Sequence, residues 1–125
     1  MLLIIIYNIQ FKMLKKHASE PWLEYIKKGT KTYEGRLNVS PWSDLKPKDK
    51  IIFFSDKNEL IVEITEILKF KSFGKAWHQL REKLIPAEFN IKTEKEADNL
   101  YGAFYINSII NKEVLAIGIK VINKK

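Results

Sequence analysis

The chain has 125 residues, 46% hydrophobic and 12% aromatic, which is enough material for a packed core in one domain of ordinary size. Charged residues make up 30%, with 22 Lys and Arg against 15 Asp and Glu, a net charge of +7. That balance argues against disorder and fits contact with a polyanion by phosphate neutralisation, although a lysine-rich compositional bias accounts for it equally well. Cysteine is absent, so disulfides, thiolate metal sites and cysteine nucleophiles are excluded. His17 and His78 are too few for an ordinary histidine zinc site, and neither a structural metal nor a cofactor is expected.

Residues 1–9 are apolar but far short of the roughly 20 residues a membrane-spanning helix needs, and they lack the basic start and cleavage site of a secretory signal. The expected location is therefore intracellular, in the cytoplasm, with no membrane partner. Two readings of residues 1–12 stand side by side: an extension ahead of a start at Met13, or an added β-branched strand. Residues 13–125 form the single domain.

Ser19-Glu20-Pro21 then opens a short helix, with Ser19 as its cap, through Trp22, Leu23, Tyr25 and Ile26 to a basic last turn and a stop at Gly29. Residues 30–39 read as extended, with Glu34 and Arg36 on one face and Tyr33, Gly35 and Leu37 on the other. Lys31 has the wrong parity to join Glu34 unless the turn after Gly29 re-aims it. A loop with Pro41, Trp42 and Pro47 leads into a hairpin of residues 51–54 and 60–68, with Leu60, Val62 and Ile64 inward. Ser72 caps a helix carrying the stripe Phe73, Ala76, Trp77, Leu80 and Leu84, ended by Pro86. Thr93-Glu94-Lys95-Glu96 is a capping box for a second helix, with Ala97, Leu100, Tyr101, Phe104 and Tyr105 as its stripe. Residues 114–122 are nearly all apolar, as a central strand would be. The order suits an α+β fold, a mixed curled sheet or small barrel with flanking helices.

Gly29-Thr30-Lys31-Thr32-Tyr33-Glu34-Gly35-Arg36 resembles the G-x-K-x-x-E-x-R signature of the ASCH domain family, in the PUA-like superfamily. His17 through Trp22, the Trp42 loop, residues 45–53, the helix pair and Ala116-Ile117-Gly118-Ile119 resemble the segments around that signature. The resemblance spans about residues 13–122. It implies a PUA-like small mixed β-barrel with a cleft beside the signature, and binding of RNA or modified nucleotides. Some members are similar to amidohydrolases acting on N4-acetylcytidine, and others are linked to ribonuclease action. Two departures stand out: Glu34 occupies the threonine place of the amidohydrolase members, and Lys48 replaces the glycine of an L-K-x-G-D turn.

The residues themselves allow several roles. Lys31 can hold a phosphate or act as a base, Glu34 can accept hydrogen bonds from a base edge or carry a proton, and Arg36 can bind phosphate or hold Glu34. Lys31 and Glu34 are thus the candidate catalytic pair, and Arg36, Trp42, Tyr33 and His17 the candidate ligand contacts, the two aromatics by stacking on a base. Trp22 and Trp77 read as core. Glu82 and Glu88 are the candidates for a later carboxylate. The leading expectation is an RNA- or nucleotide-binding domain using a Lys/Glu/Arg cleft. The alternatives are a hydrolase on a modified nucleoside or RNA, and a protein-interaction domain.

Overall fold

A computed structural model describes residues 13–103 and 113–124. The strand expected over residues 1–9 and the stripe positions Phe104 and Tyr105 lie outside these. Among the described residues five strands form one sheet: β1 (Leu14–His17), β2 (Tyr33–Leu37), β3 (Lys50–Phe54), β4 (Glu59–Phe70) and β5 (Val114–Lys124), in the spatial order β1-β3-β4-β5-β2. β1 runs parallel to β3, with Leu14 opposite Ile51, and the other neighbours are antiparallel. Among the described residues three helices accompany the sheet: α1 (Trp22–Lys28), α2 (Phe73–Leu80) and α3 (Glu94–Gly102). The architecture is the mixed α+β, curled half-barrel sheet that the sequence predicts.

The sheet is buried on both faces where β5 runs. Leu115, Ile117 and Ile119 enter one core with Leu23, Ile26, Ile51, Phe53, Leu60, Val62 and Ile64. Val114 and Ala116 enter a second with Phe73, Ala76, Trp77, Leu84 and Tyr101. This two-sided burial is why the strand reads as a continuous apolar run. β4 serves both cores through a bulge: Ile64 pairs with Ile119 and Glu66 with Gly118, leaving Thr65 as an extra residue. Beyond it the alternation shifts, so Ile67 packs on the first core while Leu68 and Phe70 pack on the second.

Several local expectations are corrected. β1 has no clear counterpart in the sequence reading, since Leu-Lys-Lys-His carries the charges that edge strands use against aggregation. Ser19 does not cap α1; instead the Glu20 carboxylate accepts the Glu24 N–H at 3.1 Å. α2 stops at Leu80 because Arg81 takes a φ of 53°, and Leu84 is buried from a separate turn. The caps at Ser72 and Thr93 form as expected, each side chain accepting the N–H three residues on.

Candidate functional site

The geometry begins at the end of α1. Gly29 is left-handed (φ 83°), its N–H bonds Ile26 O, and the Thr30 N–H bonds Tyr25 O, the paired bonds of a Schellman stop. The Lys31 N–H also reaches Tyr25 O, so the chain turns before β2 begins. This turn re-aims Lys31, whose Nζ lies 3.5 Å from Glu34 Oε1. Lys31 Nζ also donates to Tyr33 O and Leu84 O, both at 2.5 Å. The break at Arg81 supplies partners here: Leu84 O receives Lys31, and Lys83 O receives the Thr32 N–H.

Glu34 and Arg36 share the face of β2 that looks toward the first core. Arg36 Nη2 and Nε donate to Glu34 Oε2 at 2.8 and 3.2 Å. The guanidinium carbon sits 4.3 Å from the centre of the Trp42 ring, a cation–π contact. Arg36 Nη2 also donates to His17 O at 3.2 Å, which joins β2 to β1, the two outer strands of the sheet.

Burial pushes the Glu34 carboxyl upward, but Arg36 and Lys31 outweigh it and hold its pKa below the usual carboxylate range. For Lys31 burial wins: desolvation lowers the ammonium to about 8, against the opposing pull of Glu34. At neutral pH the trio therefore carries two cations against one anion.

These groups border a cleft of about 430 Å³ lined by His17, Ser19, Trp22, Glu34, Gly35, Arg36 and Tyr101. That volume falls in the range of roughly 300–1,000 Å³ typical of small-molecule sites. Gly35 is needed for its shape. A Cβ there would lie 2.9 Å from Tyr101 Oη and 3.2 Å from the Phe73 ring, so only glycine lets these rings close against β2. Tyr101 in turn stacks on Phe73 with ring centres 4.0 Å apart.

Of the residues that the sequence points to, Glu34, Arg36 and His17 come together on the cleft. Lys31 stands behind Glu34, 1% exposed, with the Trp22 ring centre 5.0 Å from its Nζ. Trp42 is buried and supports Arg36 from beneath, so it serves as a platform for the guanidinium. Tyr33 points to the other face, where its hydroxyl donates to Glu66, raising the phenol pKa to about 12. Glu82 and Glu88 are exposed on single turns and do not line the cleft. Ser19, Trp22 and Tyr101 line it, although nothing in their sequence pattern marks them for it. Among the described residues no cluster of three or more metal-ligating side chains occurs, and no helix is long and apolar enough to cross a membrane.

Known proteins share this fold. A hypothetical protein, PH0355, is similar over 88% of this chain and 99% of its own, at 30% identity and a TM-score of 0.74. Protein PF0455 from Pyrococcus furiosus is similar over 89% and 98%, at 27% identity and a TM-score of 0.65. ZmASCH from Zymomonas mobilis, in its S128A form, shares the fold over 89% of this chain and 71% of its own, at 11% identity and a TM-score of 0.60. No curated protein matches the chain significantly. The sequence itself matches the ASCH domain over residues 17–114, and the chain therefore belongs to the ASCH domain family.

Proposed function

We propose that this protein binds RNA or a nucleotide in the cleft beside Glu34 and Arg36. The observation that carries the reading is the pairing of an ionised Glu34–Arg36 couple with the Trp22 and Tyr101 rings around one nucleotide-sized cavity. The carboxylate and guanidinium supply polar recognition, the rings supply apolar contact, and the +7 charge draws a polyanion in from solution. Binding of a short single-stranded RNA should weaken steeply as salt rises. Arg36→Met should weaken it about tenfold or more, the range of a lost charge-assisted contact. Affinity unchanged by both salt and Arg36→Met would remove the assignment.

A second reading, hydrolysis of an acylated nucleoside such as N4-acetylcytidine, is favoured by one observation. Burial brings the Lys31 pKa to about 8 directly behind Glu34, whose carboxylate is held ionised on the cleft wall, so a lysine–carboxylate pair stands beside the place a substrate would take. Release of acetate from N4-acetylcytidine, lost in Lys31→Met, would support it. An absence of turnover by the purified wild-type protein would exclude it.

A further inference from the structure

Within the nucleotide-binding reading, the donor and acceptor pattern of the cleft narrows the base that fits. Among the described residues Glu34 is the one carboxylate on the cleft lining, and its side chain keeps 9% of its surface open there. An ionised carboxylate accepts hydrogen bonds and donates none. It is also fixed in rotation, because Arg36 holds Oε2 through two N–H groups while Lys31 faces Oε1 at 3.5 Å. A base edge presented to that carboxylate must turn N–H groups, and not lone pairs, toward its oxygens. Uracil offers one N–H between two carbonyls, and the amino groups of adenine and cytosine each neighbour a bare ring nitrogen. Guanine alone among the four places two N–H donors, N1–H and the 2-amino group, side by side on its Watson–Crick edge.

We propose that the cleft selects a guanine ring, its N1–H and 2-amino edge turned to the Glu34 carboxylate and its face against the Trp22–Tyr101 wall. The faces of those two rings are taken by Phe89, by Phe73 and by each other, so each turns an edge to the cleft and the base meets them edge to face. Their centres lie 6.0 Å apart at an interplanar angle of 28°, and Trp22 is backed by Phe89 at 4.5 Å, so the wall is firm. A base that turned acceptors toward Glu34 would leave the carboxylate facing lone pairs in a desolvated place, a mismatch that sites of this kind reject strongly.

Titrating the full chain with GMP, IMP, AMP, CMP and UMP at low salt, read by tryptophan fluorescence and calorimetry, tests the inference. GMP should bind about tenfold or more tightly than UMP, CMP or AMP, in line with the discrimination carried by a good base-edge contact. IMP, which keeps N1–H but lacks the 2-amino group, should fall between. Glu34→Gln, checked for folding by near-ultraviolet circular dichroism, should bring GMP and AMP to within about threefold of each other, since an amide both donates and accepts. Should that variant fail to fold, the ranking on the wild-type chain decides. Equal affinities, or a preference for any base other than guanine, would overturn the guanine assignment while leaving nucleotide binding intact. Binding of none of the five, together with no binding of an RNA oligonucleotide, would overturn both.

Discussion

Lys31 is a cation withdrawn from water, with its ammonium spent on two backbone carbonyls and Glu34. Because desolvation lowers its pKa from 10.5 to about 8, the unfolded chain binds the extra proton anywhere between those values. Stability contributed through Lys31 therefore rises with pH over that window, and the desolvation cost stands in full below pH 8. Glu34 works in the opposite range: its depressed pKa gives stability that is present above the ordinary carboxylate value and is lost as pH falls through the folded one. Urea unfolding of the wild type and Lys31→Met at about pH 7, 8, 9 and 10 should show the wild type gaining on the variant from about pH 8 upward. A constant difference would contradict the buried ammonium. The signature lysine, glutamate and arginine are legible because their spacing is local and the Gly29 turn is written into the sequence. Trp22 and Tyr101 are not, since a ring on a helical stripe reads as core, and both are core. Each shows one edge to the cleft, and no periodicity distinguishes that edge. Trp42 differs in the other direction: its place in a proline-flanked loop suggests a ring that stacks on a base, whereas Arg36 lies over it.

At the level of elements, the turn before β3 shows how a departure from a family pattern resolves. Lys48 takes a φ of 79° at the third position of Lys46-Pro47-Lys48-Asp49, and the Asp49 N–H returns to Lys46 O at 3.1 Å. The turn thus keeps the geometry that a glycine would adopt freely, with a Cβ in its way. Lys48→Gly should stabilise the fold by about 0.5–1 kcal/mol, as relief of the left-handed strain exceeds the added chain entropy. Thermal unfolding checks this, and a lowered melting temperature would show the strain is not there. The helices and hairpin are legible because caps and alternation are short-range signals. β1 and the end of α2 are not. A four-residue strand with two lysines gains its identity from β3 across the sheet, and the break at Arg81 serves Lys31 and Thr32, partners about fifty residues away in the chain.

For the whole molecule, the sheet is open between β1 and β2, and Arg36 spans that opening through its bond to His17 O. The side chain that faces the cleft is therefore also a fastening of the barrel. Arg36→Met should speed hydrogen exchange of the β1 amides by about tenfold, the scale of one lost charge-assisted bond, and leave β4 and β5 protected. Uniform acceleration across the sheet would point to global destabilisation instead. At the far side of the sheet, Thr65 has a different kind of consequence. Its neighbours Ile64 and Glu66 pair with the consecutive residues Ile119 and Gly118, so removing Thr65 would leave every partner on both sides unchanged and take away only the bend. A single-residue gap there would thus change curvature and not register, and a shorter relative would align position for position on either side of it. Gly118 belongs to the same account. A Cβ at 118 would lie 2.5 Å from Thr65 Oγ1 and 3.1 Å from both Glu66 Cγ and Tyr33 Cε1, so the extra residue in one strand packs against the bare backbone of the next.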